Sequence, residues 1–239
     1  MITQGEVGQP MRIAASLIIA AAVLAAPVLS HAQSSDDDLR VYAVGIVNVA
    51  PFKRPFSGYG IYLGESTIIT AAHVVGHWPL FTNPTIKIGG QEILGKVIKK
   101  GAFPQLDLAQ LSVEQSSLPD SLRLRQDHLC KELAAVGTNV VVVSPEQTVH
   151  SRVISPQAIA PRYRSHFGTL ISEPHGSGSG VFDADKMCLL GIMSAAVTRY
   201  SLMDAAVTPF SFQTTWDASV GYFVPASTIA DFLHSHRRF

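Results

Sequence analysis

Residues 173–182 read EPHGSGSGVF, a serine set between glycines and followed at once by an apolar Val-Phe pair. Glycines beside a serine allow tight turns, some with positive φ, that lift the hydroxyl clear and aim neighbouring amide N–H groups at one point. An activated nucleophile with an oxyanion site needs this arrangement. The apolar pair argues against a flexible Gly/Ser linker, and residues 181–194 lack the helix that follows a phosphate-binding loop. The stretch alone fits a nucleophile turn and an ordinary glycine-rich turn equally well.

Short β-rich runs surround this stretch from residue 41 onward, separated by Gly, Pro, Asn and Asp. Many short strands separated by turn residues, with few segments that favour a helix, predict an all-β protein. The two sets of runs suggest two barrels packed together. We place the first barrel at 41–125 and the second at 126–239, with a short helix at 227–236. The β-rich runs are 41–50, 58–63, 67–70, 85–88, 93–98 and 108–113, then 139–144, 148–154, 168–171, 181–182, 188–194 and 220–224.

The first 32 residues have the pattern of a secretory signal. Residues 11–12 read MR, an apolar run follows at 13–29, and SHA at 30–32 puts small residues at the two positions that a signal peptidase inspects. We expect cleavage after Ala32, a secreted or periplasmic protein, no membrane contact after cleavage, and a flexible mature start at 33–40. The alternative is an uncleaved anchor, because the run approaches the roughly 20 residues of a spanning helix. Met11 competes with Met1 as the true start.

The composition limits the classes of partner that the protein is expected to bind. Nearly half of the 239 residues are hydrophobic and the formal net charge is zero. A balanced charge provides no field that would attract nucleic acid. No Cys/His pairs have the spacing of zinc ligands, so we expect no metal. Cys130 and Cys188 could form a disulfide in an oxidising compartment or remain two buried thiols.

Two upstream segments supply what a serine nucleophile requires. TAAHVV at 70–75 puts His73 just beyond a β-rich run, and LDLAQL at 106–111 puts Asp107 among apolar residues. A buried carboxylate needs a partner, because an unpaired buried charge is costly. Singly, each could be an ordinary strand-end or turn residue. Together with Ser177 they provide a proton acceptor, a group that orients it and a nucleophile.

The three segments resemble, in order and spacing, the signature segments of trypsin-like (chymotrypsin-fold) serine peptidases, particularly their bacterial secreted and HtrA-like branch. The resemblance implies two six-stranded antiparallel β-barrels with the active site in the cleft between them. It also implies hydrolysis of peptide bonds through an acyl-enzyme intermediate, with protein or peptide substrates and no cofactor. By position, His73 matches the general base, Asp107 the carboxylate that orients it, and Ser177 the attacking hydroxyl.

Ser179 competes with Ser177 for the role of nucleophile. In the family the nucleophile lies four residues before a valine, and Val181 is four residues after Ser177. The resemblance therefore favours Ser177.

The resemblance also implies an oxyanion hole and a substrate pocket. The hole would be formed by backbone N–H groups of His175, Gly176 and Ser177, although His175 stands where the family has glycine. Gly176 replaces the aspartate that binds a new amino terminus in animal digestive members, so we expect no activation of that kind. Ile171 at the pocket floor and Ala196 nearby predict a preference for small or hydrophobic P1 side chains. The implied substrate-binding residues are Ile171, Ser172, Ser194, Ala195, Ala196 and Gly221.

Two functions follow as hypotheses. The first is an exported serine endopeptidase. The second is a weakly active or inactive binding module on the same barrels, in which His175 distorts the oxyanion hole. A chaperone-protease of the HtrA type is less favoured, because we expect no room for a PDZ domain after the second barrel.

Overall fold

The computed structural model describes residues 36–48, 56–76, 83–102, 105–124, 126, 128–155, 165–171, 176–197 and 219–235. Within these ranges twelve strands form two closed antiparallel barrels of six strands each. This confirms the predicted fold class. The predicted signal at 1–32 and most of the segment at 198–219 lie outside the described residues.

The first barrel closes in the order β1-β2-β3-β6-β5-β4. Side chains along β6 alternate between buried and half-buried, the period-two pattern of a strand with one face on a core. Ile46, Ile68 and Leu111 lie in that core, where each contributes roughly 1.5 to 3 kcal/mol by burial. The strands are β1 (Ala43–Asn48), β2 (Phe56–Gly64), β3 (Thr67–Thr70), β4 (Thr85–Ile88), β5 (Gln91–Lys100) and β6 (Ala109–Val113).

The second barrel closes in the order β10-β11-β12-β9-β8-β7. Val142, Val181 and Met193 lie in its centre, and the rings of Phe167 and Phe223 stack with centroids 5.6 Å apart. The strands are β7 (Asn139–Val143), β8 (Thr148–Ile154), β9 (Phe167–Ile171), β10 (Gly180–Asp183), β11 (Leu189–Val197) and β12 (Ser219–Pro225).

A shared apolar layer joins the barrels. Ile61 and Ile69 of the first barrel pack in one buried cluster with Phe182 and Ile192 of the second. The C-terminal helix, Ala226–His234, adds Phe232 to this layer. The helix begins one residue before its predicted start and ends two before its predicted end. Because these side chains are buried and pack directly against one another, the layer holds the two barrels together.

The described chain begins inside the segment 33–40, which we expect to be flexible. Residues 36–40 are helical, and Leu39 is 3% exposed. Asp36 Oδ2 accepts a hydrogen bond from Thr148 Oγ1 at 3.1 Å and lies 2.9 Å from His150 Nε2. Asp36 thus contacts β8, more than a hundred residues away, whereas Asp37 and Asp38 are exposed.

A disulfide joins Cys130 to Cys188. It ties the connection between the barrels to the turn between β10 and β11. Cys130 N also donates to Leu189 O at 2.9 Å, so the connection follows the edge of that turn. None of the helices in the described part of the chain has the length and apolarity needed to cross a membrane.

Candidate active site

His73 lies in a tight turn directly after β3. Val74 N donates to Ala71 O at 3.1 Å, and Gly76 N donates to His73 O at 3.2 Å. Gly76 has φ +75°, a conformation that glycine adopts without strain. Asn48 Nδ2 donates to Val75 O at 2.8 Å from β1. The turn is therefore held by its own backbone and by a buried amide of the neighbouring strand.

Asp107 lies two residues before β6 and contacts His73 at two points. Its Oδ2 is 2.8 Å from His73 Nδ1, and its Oδ1 accepts from His73 N at 3.1 Å. The Asp107 side chain is completely buried, whereas that of His73 is 37% exposed. An ionised carboxylate only accepts hydrogen bonds, so Nδ1 carries the proton and Nε2 is the basic nitrogen of the neutral ring.

A second donor to Asp107 comes from the other barrel. Ser194 Oγ, on β11, donates to Asp107 Oδ2 at 2.6 Å, and Ser194 is 2% exposed. Burial alone raises the pKa of Asp107, but hydrogen bonds from the His73 side chain and Ser194, with the attraction of His73, bring this pKa below its usual value. The carboxylate thus stays ionised although it is buried. The family resemblance implies only a substrate-binding role for Ser194.

Ser177 lies in the turn before β10, and that turn is clamped by both barrels. Ser177 O accepts from Tyr59 N at 2.8 Å, and Gly178 N donates to Met193 O at 2.7 Å. Ser177 Oγ donates to Ser194 O at 3.3 Å. Ser194 therefore contacts Asp107 through its hydroxyl and Ser177 through its carbonyl.

The glycines of the turn are required by close approach to Tyr59. Gly178 has φ +90°, and a Cβ there would lie 1.8 Å from Tyr59 O. A Cβ on Gly176 would lie 2.3 Å from the Tyr59 ring. The GSGSG pattern is thus explained by packing against β2, a partner that the local sequence does not reveal.

Ser179 has a different environment from Ser177. It is fully buried, and its Oγ donates to Gly176 O at 2.8 Å. Ser179 N also donates to Gly176 O, at 3.3 Å. The Ser179 hydroxyl closes the turn from within, whereas Ser177 is half-buried beside Ser194, the hydrogen-bond partner of Asp107.

The predicted pocket residues fall on three neighbouring strands. Ala196 of β11 pairs with Gly221 of β12, and Ile171 of β9 pairs with Ser219 on the other side of β12. Ala195 packs with Ile154, Val220 and Tyr222 in a small apolar cluster. The side chain of Ile171 and all of Ser172 and His175 lie outside the described residues, so of the predicted oxyanion hole only Gly176 and Ser177 are described.

Comparison with known proteins identifies the fold family of the two barrels. No protein-family model matches the sequence, and no curated protein matches it. Solved structures do match. The active form of the Rv3671c protease from M. tuberculosis is 19% identical, with a TM-score of 0.60 over 94% of this chain and 97% of that one. The fold is that of the trypsin-like serine proteases.

A second protease gives the same result. The serine endoprotease from Yersinia pestis is 14% identical, with a TM-score of 0.57 over 84% of this chain and 65% of that chain. At these identities the likeness establishes the two-barrel fold. The roles of individual residues have to be argued from the geometry of the chain itself.

Sequence reasoning missed the residues that support this site. Thr70 Oγ1 donates to Tyr59 O, beneath the turn that carries Ser177. Lys100 Nζ donates to Gly76 O, at the end of the His73 turn. Thr70 belongs to the TAAHVV segment and could have been examined for this reason, whereas Tyr59 and Lys100 stand in no recognisable pattern.

Proposed function

We propose that this protein is an exported serine endopeptidase that cleaves peptide bonds with Ser177, His73 and Asp107. The observation that carries the proposal is the two-point contact between His73 and the buried Asp107, with Ser194 in contact with both Asp107 and Ser177. An ionised, buried carboxylate that orients an imidazole, with Ser194 connecting that carboxylate to a serine hydroxyl, supports serine acyl transfer.

The first half of the reaction forms an ester. Ser177 Oγ–H exchanges its hydrogen bond to Ser194 O for one to His73 Nε2, and Oγ attacks the scissile carbonyl carbon as Nε2 takes the proton. Asp107 holds the Nδ1 proton and stabilises the imidazolium. The tetrahedral intermediate collapses when Nε2 returns the proton to the leaving nitrogen. The C–N bond breaks and the acyl group stays on Ser177.

The second half hydrolyses that ester. Water donates a proton to His73 Nε2 and attacks the acyl carbon, and the Ser177 alkoxide leaves with the proton that Nε2 returns. Backbone N–H groups of His175, Gly176 and Ser177 would receive the oxyanion in both halves. One such donor is worth roughly 3 to 4 kcal/mol in the transition state.

Protein or peptide substrates would bind beside residues 194–196 of β11. An extended segment can pair with a strand backbone there, which aligns the scissile bond over Ser177. The apolar pair Ile171 and Ala196 supports a preference for small or hydrophobic P1 side chains. A cleavage profile on a mixed peptide pool tests this, and cleavage confined to bonds after Lys, Arg or Glu would contradict it.

Labelling with a serine-directed phosphonate tests the proposed chemistry. The folded protein should take up one label on Ser177, and Ser177→Ala should take up none. Ser179→Ala is the matched control, because Ser179 is a buried serine of the same turn, and this variant should still be labelled. A folded wild-type protein that takes up no label would contradict the peptidase and favour the binding module.

Export has its own test. Expression of the full chain in a secreting bacterial host should yield a protein that begins at Gln33 outside the cytoplasm. A product that retains residues 13–29 and sediments with membranes would instead support the uncleaved anchor.

A further inference from the structure

Lys100 contacts the turn that carries His73. It is the last residue of β5, and its Nζ donates to Gly76 O. Lys100 pairs with Ala109 of β6, and the next residue, Gly101, donates its N–H to Leu108 O at 2.8 Å. The lysine therefore lies beside the strand that begins two residues after Asp107, and its side chain reaches Gly76, at the end of the turn that carries His73.

We propose that Lys100 is a positioning residue for the proposed peptidase: it fixes the Gly76 carbonyl and thereby holds the His73 imidazole against Asp107. The inference rests on the proposed function, because it assigns to Lys100 the support of the proposed base. It adds a residue that the family resemblance does not include.

The hydrogen bonds of the turn show how the effect is transmitted. Gly76 O accepts from Lys100, and Gly76 N donates to His73 O at 3.2 Å. A displacement of Gly76 would therefore act directly on the His73 carbonyl to which it is hydrogen-bonded. The turn is closely packed, since Val74 and Val75 are 3% and 4% exposed, so its carbonyls depend on protein donors. Asn48 supplies one to Val75 O, and Lys100 supplies one to Gly76 O.

The charge of Lys100 adds an electrostatic attraction to this hydrogen bond. Burial lowers the pKa of Lys100, and the negative charge of Asp107 opposes that effect, so the ammonium lies within electrostatic reach of Asp107. Among the described residues, the negative charge of Asp107 also acts on the buried His166. The attraction between the Lys100 ammonium and the Asp107 carboxylate favours this position of the Lys100 side chain.

Lys99, the residue before Lys100, contacts a different part of the molecule and therefore provides a control. Its Nζ donates to Phe232 O and to Ser235 Oγ, and it lies 4.6 Å from the centroid of the Phe232 ring. Lys99 thus connects β5 to the C-terminal helix. Adjacent lysines of one strand support different parts of the molecule, so a general loss of stability can be separated from a local effect on His73.

The test compares Lys100→Met and Lys100→Arg with Lys99→Met and with Lys96→Met, an exposed lysine of the same strand. For Lys100→Met we expect kcat to fall by roughly tenfold with little change in KM, because the base is misplaced and substrate contacts are intact. Lys100→Arg, which keeps a charged N–H donor, should restore most of kcat.

The controls separate position from stability. Lys99→Met should unfold at lower temperature and keep the wild-type kcat, and Lys96→Met should match the wild type in both. If Lys100→Met does not fold, Lys100→Gln, which keeps N–H donors on a shorter side chain, takes its place and should lower kcat by a smaller factor. A wild-type kcat in the folded Lys100→Met or Lys100→Gln variant would overturn the inference, as would a loss of kcat that Lys100→Arg does not restore.

A readout independent of hydrolysis keeps this inference distinct from the proposed function. NMR of the His73 Nδ1–H proton follows the imidazole directly, because its resonance depends on the contact between Nδ1 and Asp107 Oδ2. This resonance should shift in Lys100→Met and stay unchanged in Lys96→Met. If the wild type neither hydrolyses peptides nor takes up the phosphonate, the peptidase proposal fails. The NMR comparison then still decides whether Lys100 acts on His73: an unchanged Nδ1–H resonance in Lys100→Met refutes it.

Discussion

Tyr59 N donates a hydrogen bond to Ser177 O at 2.8 Å, from a strand of the first barrel to the turn that opens β10 of the second. The same residue fills the space beside Gly176 and Gly178, and its carbonyl is held in turn by Thr70 Oγ1. Because Thr70 is the last residue of β3, directly before the turn that carries His73, both halves of the candidate site rest on the same part of β2 and β3. The proposed base and nucleophile therefore cannot move independently.

Gly178→Ala should abolish phosphonate labelling and lower the thermal unfolding temperature. The added Cβ would lie 1.8 Å from Tyr59 O, and the residue would have to keep φ +90°. Gly90→Ala separates these two effects, because Gly90 has φ +79° and no atom within 4 Å of the added Cβ. We expect Gly90→Ala to cost roughly 1 kcal/mol from backbone strain alone, and Gly178→Ala to cost more. If the two variants lose the same free energy of unfolding in urea, the close approach of Tyr59 O does not add to the destabilisation.

Ser194→Ala should lower kcat while leaving KM nearly unchanged. The substitution removes the 2.6 Å hydrogen bond to Asp107 Oδ2 and keeps the backbone carbonyl that Ser177 Oγ contacts. Loss of one partner of a buried, orienting carboxylate is expected to lower kcat by about tenfold. Steady-state kinetics on one peptide measures this, with the half-buried Ser112→Ala of β6 as the control. A change confined to KM would indicate that Ser194 serves only in substrate binding.

Asp107 should make the stability of the fold depend on pH in acid. Its pKa is lowered in the folded protein, because the hydrogen bonds and attraction of its partners outweigh burial. The stabilisation is therefore fully present above the unfolded-state pKa of about 3.9, and it is lost as pH falls through the lower folded-state pKa.

Urea unfolding at pH 7 and pH 3 measures this effect. The decrease in the free energy of unfolding between the two should be smaller in Asp107→Asn than in the wild type, because the amide does not titrate. Asp120→Asn, an exposed carboxylate beside Arg123, should retain the wild-type decrease. An Asp107→Asn variant with an unchanged decrease would show that other groups govern the acid limb of stability.

Local patterns predicted most of the strands because each strand carries its own signal. The bounds of β3, β4 and β8 match the predicted runs, which are rich in the β-branched residues Thr, Val and Ile. β10 was predicted as 181–182 and spans Gly180–Asp183. Gly180 reads as a strand breaker, but in the structure a Cβ there would lie 2.7 Å from Ile61 of the other barrel. The reason for that glycine lies outside its own segment.

The supporting contacts of the site could not be predicted in the same way. Ser194 and Asp107 are separated by 87 residues, and Lys100 and Gly76 by 24. Such pairs follow from strand order and register, which a single sequence specifies only through the whole fold. Resemblance to a family supplied His73, Asp107 and Ser177 as candidates because their local motifs are short and recognisable. Tyr59, Asn48 and Lys100 hold the backbone of those motifs from strands whose own sequences are ordinary.

The Cys130–Cys188 disulfide should contribute strongly to stability and little to catalysis. It closes a loop with a sequence separation of 58 residues, which in the chain-entropy account predicts roughly 4 kcal/mol of stabilisation. Replacement of both cysteines by alanine should lower the free energy of unfolding by about 2 to 4 kcal/mol in urea. Cys188 precedes β11 and lies six residues before Ser194 in the sequence, outside the contacts that Ser194 makes with Asp107 and Ser177. Phosphonate labelling of the folded variant should therefore proceed at the wild-type rate. Reduction of the wild type with dithiothreitol is the matched control and should give the same decrease. A variant as stable as the oxidised protein would mean that the packing of the connection against Leu189, rather than the covalent link, holds this part of the second barrel.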